Sequence, residues 1–203
     1  MKLKNIYKYI IMVKKFYVCS YGGSGSKMLC KALEKYGTTY HIHSRCPPDK
    51  LEYIGTEKGG KAYCEWFNGI TIPENKLSDY YVIYIYRNPS YALQRRAASP
   101  DHLKHIQAPN NSNLDNILNT GKDLVKIKEF YNNYTRVNQK RNYKICCVKY
   151  EDIFCKQDEL SNLLGIGKLN LVNKSTSKSH EKLDIIYSDL IKEMEDNKFI
   201  MIR

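Results

Sequence analysis

The chain has 203 residues, enough for one domain with a full core and too few for two of ordinary size, and 42% apolar residues exclude a disordered chain. A formal charge of +12 points to an anionic partner: a nucleotide, a sulfated or phosphorylated substrate, or nucleic acid. Lys, Asn, Ile and Tyr are abundant, with 18 Tyr, a bias that AT-rich coding writes into surface positions, so the charge alone does not select nucleic acid.

At the N-terminus, Tyr9 to Val13 is apolar between lysines, but it is too short to span a bilayer and lacks a small-residue cleavage site. No membrane insertion and no signal peptide are expected. Residues 1–14 read as an extension ahead of the domain, with Met12 as an alternative start. Phe16 to Tyr21 is aromatic, β-branched or small and predicts a buried strand, which Gly22 and Gly23 stop. From Ser26 onward, Met28, Leu29, Ala32 and Leu33 share one helix face.

Strand, glycine-rich loop and helix together make an anion cradle. Gly22, Gly23 and Gly25 let the backbone turn and bring its N–H groups to an anion, and the helix N-terminus adds partial positive charge. Ser24, Ser26 and Lys27 add donors. The same pattern also serves as a plain tight turn in α/β proteins. It is not a G-x-x-x-x-G-K-[ST] loop, because Ser26 and Tyr21 stand where that pattern needs glycine.

Gly37 reads as a helix C-cap, and Thr38 to His43 alternates as a short strand before Pro47-Pro48. From Lys50 to Asn75, glycines at 55, 59, 60 and 69 predict loops around a short helix near Ala62 to Phe67, on the substrate side. Tyr80 to Tyr86 is the strongest strand, apolar on both faces as a central parallel strand should be. It runs into Arg87-Asn88-Pro89, where Pro89 suits the first turn of a helix over Tyr91 to Ala98.

Ser99 to Ser112 reads as a mobile loop or lid carrying His102 and His105. A long amphipathic helix follows, with Leu124, Ile127, Phe130, Tyr131 and Tyr134 on one stripe, and then a third buried strand from Tyr143 to Tyr150, leading to Glu151-Asp152. A short helix from Asp158 to Leu164, a polar loop from Asn173 to His180 and a last helix from Leu183 to Glu195 complete the chain. This alternation predicts one α/β domain over residues 1–203, three-layered, with a mainly parallel sheet flanked by helices. Seven cysteines form no C-x-x-C pair, and Cys19, Cys30, Cys146 and Cys147 lie inside apolar patterns, as reduced core residues of a cytoplasmic protein would.

Three of these pieces resemble the sulfotransferases that use 3′-phosphoadenosine 5′-phosphosulfate as sulfuryl donor. Tyr21-Gly22-Gly23-Ser24-Gly25-Ser26-Lys27 resembles their 5′-phosphosulfate loop, P-[KR]-[ST]-G-[ST]-[ST]. Tyr86-Arg87-Asn88-Pro89 resembles the Y-R-N-P that opens their 3′-phosphate site, and Lys149-Tyr150-Glu151-Asp152-Ile153 resembles their R-Y-E-D-L stretch. The resemblance implies a P-loop NTPase-like fold and that nucleotide as donor, with no metal required. It places Gly22, Gly23, Ser24, Gly25, Ser26 and Lys27 at the phosphosulfate, and Arg87 and Arg95 at the 3′ phosphate. In the family a lysine or arginine stands at the position of Gly23, a hydroxyl residue at that of Lys27, a serine at that of Arg95 and often an aspartate at that of Tyr91. Lys27 would then have to replace the missing loop cation.

Sulfuryl transfer needs a base for the acceptor's proton and a cation for the leaving phosphate. His43 is the first candidate base, in a stretch loosely similar to the family's histidine and proline segment, with His41 on the same strand face as the second. Glu151-Asp152 reads as a helix-start cap paired with Arg or Lys, and Trp66 as either an acceptor-pocket wall or a core residue. The expected function is a sulfotransferase acting on a hydroxyl or amine of an unspecified acceptor. Two alternatives stay open: a P-loop kinase with a degenerate loop, or a non-catalytic nucleotide- or polyanion-binding protein. Nucleic acid is not the expected partner, and the sequence leaves the oligomeric state open.

Overall fold

A computed structural model describes residues 14–54, 62–63, 70–96, 100–104, 106, 108–110, 112–176 and 178–203, with the main chain alone at 62, 63, 95, 100 and 101. Six strands form one sheet: β1 (Lys14–Cys19), β2 (Gly37–Ile42), β3 (Ala62–Tyr63), β4 (Tyr80–Tyr86), β5 (Ile145–Lys149) and β6 (Ile200–Ile202). Their order is β3-β2-β1-β4-β5-β6, and every neighbouring pair is parallel except the antiparallel β5 and β6. The helices are α1 (Ser26–Leu33), α2 (Pro89–Arg96), α3 (Pro100–Lys104), α4 (Leu114–Thr120), α5 (Ile127–Thr135), α6 (Gln157–Leu164), α7 (Glu181–Ile186) and α8 (Ser188–Asp196).

Period-2 alternation sorts each strand onto two faces, and each face has its own helices. Tyr17, Cys19, Val82, Tyr84, Tyr86 and Cys147 pack with Ala92 and Leu93 of α2 and Phe130, Tyr131 and Tyr134 of α5. Phe16, Val18, Ile83, Ile85 and Val148 pack with Leu29 and Leu33 of α1 and Leu160 and Leu164 of α6. The sheet is therefore sandwiched between helices on both faces.

The tyrosine content is largely a core property, which corrects the surface-bias reading of composition. Tyr17, Tyr21, Tyr84, Tyr86, Tyr131 and Tyr134 are all fully buried. Tyr84 stacks on Tyr134 with centroids 4.4 Å apart, at the short edge of the separations at which aromatic pairs add roughly 0.5–1.5 kcal/mol beyond their buried area.

Cys19, Cys30, Cys146 and Cys147 are buried free thiols, and burial pushes Cys30 and Cys146 up to about 12. Iodoacetamide applied to the native protein should therefore label the exposed Cys46 and Cys155 first among the described cysteines. Early labelling of Cys146, read by peptide mass spectrometry, would contradict this packing.

Several elements differ from their sequence expectation for local reasons. The long helix is broken in two: Gly121 closes α4 in the left-handed region, and Asp123 starts α5 by accepting from the Ile127 and Lys128 N–H groups at 3.0 Å each. The expected lid holds helix α3, and Leu103, Ile106 and Ser112 are buried. Arg45, itself buried, fastens that region by donating to the carbonyls of Ile106 and Lys126, both at 2.8 Å. Ala62–Tyr63 is a strand beside β2 where a helix was expected, while the rest of that expected helix, with Trp66, lies outside the described residues. The same holds for the N-terminal stretch from Tyr9 to Val13 and for His105. The last helix divides at Tyr187, Gly37 both caps the 3-10 turn Glu34–Tyr36 that follows α1 and opens β2, and β6 was not expected. Among the described residues no helix is long and apolar enough to cross a membrane.

Strand order fixes where a ligand can enter. From β1 the chain moves through α1 to β2 on one side, whereas from β4 it moves to β5 on the other. The carboxyl ends of β1 and β4 are thus adjacent and their connections diverge, the arrangement that opens a binding crevice in α/β sheets.

Candidate functional site

The β1–α1 loop lies at this divergence, and Gly22, Gly23 and Gly25 all take positive φ, at 89°, 67° and 81°. Gly23 is glycine for two reasons. Its φ disfavours any side chain, and a Cβ there would lie 2.5 Å from the Ala92 carbonyl oxygen and 2.9 Å from the Ala92 Cα, so loop and α2 backbones touch directly. No room exists for a lysine or arginine at this position. Ser24 is fully buried and donates to the Gly22 carbonyl at 3.2 Å, so its hydroxyl braces the loop. Helix α1 begins at Ser26 with no side-chain cap, leaving its first N–H groups available at the loop. Lys27, in that first turn, is exposed.

Strand β4 is followed directly by Arg87, which is 7% exposed and packs against two rings, with its Cζ 4.4 Å from the Tyr150 centroid and 5.0 Å from that of Tyr91. One terminal nitrogen donates to Ser175 Oγ at 2.8 Å, joining the C-terminal loop to the sheet, while Nε is buried with no partner among the described residues. The Arg87 N–H donates to Tyr21 Oη at 2.9 Å, which ties the two strand ends together. Arg96 was not foreseen as a site residue. It lies one turn beyond Ala92 on the same α2 face, and its guanidinium packs where a Cβ on Gly22 would be 2.6 Å from Cζ. Helical spacing from Pro89 could have identified it. The Arg95 side chain lies outside the described residues.

Glycine loop, Arg87, Arg96 and Lys27 border one cavity of about 800 Å³, which extends along α1 to Lys31 and under the 170–175 segment to Lys174. Its described lining carries no carboxylate. Among the described residues no group of three or more His, Cys, Asp or Glu is placed to hold a metal ion. A cationic pocket of this size suits a nucleotide-sized anion.

On the β2 side a buried polar chain borders the same cavity. Gly22 N–H donates to Ser20 Oγ at 3.1 Å, Ser20 Oγ donates to Ser26 Oγ at 2.8 Å, and Ser26 Oγ lies 2.7 Å from His41 Nε2. His43 Nδ1 is 2.7 Å from the Ser20 carbonyl oxygen, to which it can only donate, so a neutral ring carries its lone pair on Nε2. The two imidazoles are 4.4 Å apart, and both line the cavity, as does His102 on α3.

Glu151 and Asp152 lie in a short turn after β5 and serve the scaffold. Glu151 accepts from the Asn88 N–H at 3.0 Å, and Asp152 pairs with Lys149 at 3.4 Å. Although Glu151 as a whole is an exposed residue, partial desolvation raises its carboxyl above the ordinary range, with the Asn88 N–H and the Arg87 charge pulling the other way. Tyr150, between them and β5, is the residue of that stretch that faces the cavity.

The structure thus brings Gly22, Gly23, Gly25, Ser26, Lys27, His43 and Arg87 to one cavity and turns Ser24 away from it. What the fold and the site define is an α/β protein with a cationic cavity at the divergence point of a mainly parallel sheet. No family model, curated protein or solved structure matches the chain.

Proposed function

We propose that the cavity binds 3′-phosphoadenosine 5′-phosphosulfate and that the protein is a sulfotransferase-like enzyme of P-loop type, acting on a hydroxyl or amine acceptor. One observation carries this reading: the glycine loop and Arg87 open onto one cavity from the ends of neighbouring strands β1 and β4, as a donor with two separate anionic groups requires. The phosphosulfate fits the loop N–H groups and Lys27, and the 3′ phosphate fits Arg87 and Arg96. The acceptor oxygen or nitrogen attacks sulfur, the bond from sulfur to the bridging oxygen breaks, and 3′-phosphoadenosine 5′-phosphate leaves. His43 Nε2 takes the acceptor's proton, and the Lys27 ammonium offsets charge on the leaving phosphate.

A non-catalytic binding protein of the same fold is the second reading, favoured by the close approach of Gly23 to Ala92, which leaves no place for the family's loop cation. Calorimetry separates these readings from a kinase. The expected result is that 3′-phosphoadenosine 5′-phosphate binds more than about tenfold tighter than ATP with magnesium, a difference of roughly 1.4 kcal/mol. Preference for ATP would overturn both nucleotide-sulfate readings, and binding without release of 3′-phosphoadenosine 5′-phosphate from the full donor would leave the binding protein.

A further inference from the structure

Of the serines in and beside the glycine loop, Ser26 is the one on the cavity wall, and it is already hydrogen-bonded to Ser20 and His41. Its oxygen receives the Ser20 hydroxyl hydrogen, and that hydrogen is not drawn toward His43, because His43 Nδ1 is itself a donor to the Ser20 carbonyl. The acceptor for the Ser26 hydrogen is then His41 Nε2, 2.7 Å away. With a neutral His41, Ser26 turns its lone pairs toward the loop and repels an anion there. With a protonated His41, Nε2–H donates to Ser26, and the Ser26 hydrogen has nowhere to point but the cavity.

We propose that His41 is a positioning residue for the loop hydroxyl: an anion in the glycine loop binds together with one proton taken up by His41, which turns the Ser26 O–H onto the ligand. The inference rests on the loop as an anion cradle, not on which nucleotide fills it. The surroundings set its direction. Lys27 and Lys31 of α1, Arg87 just after β4, Arg96 of α2, His102 of α3, Lys174 of the C-terminal loop and His43 just after β2 face the same cavity. Val18 of β1 and Ala62 of β3 stand opposite His41 in register and carry no charge. The lysine and arginine charges oppose a further charge on His41 until an anion enters and offsets them. Since the bound state holds the extra proton, affinity is greatest at low pH and falls by about tenfold per pH unit between the pH at which the free imidazole loses its proton and the higher pH at which the bound one does.

The test uses the full chain with 15N-labelled histidines and two probes, inorganic sulfate, which exchanges no proton of its own near neutral pH, and 3′-phosphoadenosine 5′-phosphate. His41→Gln assigns the ring signal, and Ser26→Ala, which removes the shared hydrogen and shifts the same signal, assigns it if the first variant does not fold. At fixed pH, sulfate is expected to move the His41 Nε2 resonance from its neutral to its protonated position while His43 stays neutral. If sulfate does this and the nucleotide does not bind, the proposal stands and the donor reading falls. If the nucleotide binds and His41 stays neutral, the donor reading stands and the coupling is overturned. If neither probe changes His41, the coupling is overturned, and absence of nucleotide binding separately removes the donor reading.

Discussion

Gly23→Ala is expected to destabilise the protein by about 2–5 kcal/mol, from strain at positive φ together with a hard contact in a packed region. For a chain of this length that is roughly 5–15 °C in Tm. Gly121 provides the control, because its φ of 63° nearly equals the 67° of Gly23, yet a Cβ there meets nothing within 4 Å. Gly121→Ala should therefore cost only about 1–2 kcal/mol, the conformational part alone. The difference between the two variants isolates the approach of the loop to the α2 backbone. Circular dichroism melts of both would settle it: equal losses would mean that α2 yields freely and that the loop is not clamped. Gly23→Lys, which restores the residue that the resemblance leads one to expect, should fall with Gly23→Ala rather than gain function. Any cation acting at the bridging oxygen in this fold has to come from elsewhere, and Lys27 in the first turn of α1 is on the cavity to supply it.

The site was legible where local chemistry dictates local geometry. Glycines after a buried strand and before an amphipathic helix can do little but turn tightly, and an arginine following seven strand residues and preceding Pro89 has to emerge at a strand end. What stayed hidden depends on distant partners. Ser24 and Ser26 look alike in sequence, but one donates to the Gly22 carbonyl and the other faces the cavity, a difference set by Ser20 and His41. Arg45 looks like a neighbour of a candidate base, but carbonyls some 60 to 80 positions later make it a clamp on a segment that reads as a lid. Polar composition alone cannot reveal such anchoring, because the stabilising donor lies outside the segment. The break between α4 and α5 could have been read, since Gly121 followed by Asp123 is a stop and a cap, but the apolar stripe dominated. Strand β6 has only three residues, and its pairing with β5 supplies what its short pattern cannot signal.

Arg87→Ala should weaken binding of 3′-phosphoadenosine 5′-phosphate by about a hundredfold to several thousandfold, or roughly 3–5 kcal/mol, while leaving Tm within a few degrees. The guanidinium is already desolvated and packed against Tyr150 and Tyr91, so little ordering remains to oppose a ligand, and its Nε is a donor with no partner among the described residues. Arg87→Lys separates charge from shape. A lysine keeps the positive charge but not the planar fork or the stacking, so it should recover only part of the loss, remaining about tenfold or more weaker than the native protein. Arg87 also bonds Ser175 at 2.8 Å, which offers a purely structural role as the competing account. That account predicts the reverse pattern, a lowered Tm with nucleotide affinity changed less than about threefold, and Ser175→Ala should then reproduce it. If instead Ser175→Ala leaves affinity intact and Arg87→Ala abolishes it, the arginine serves the ligand first, and its bond to the C-terminal loop closes that loop over an anion already held at the end of β4.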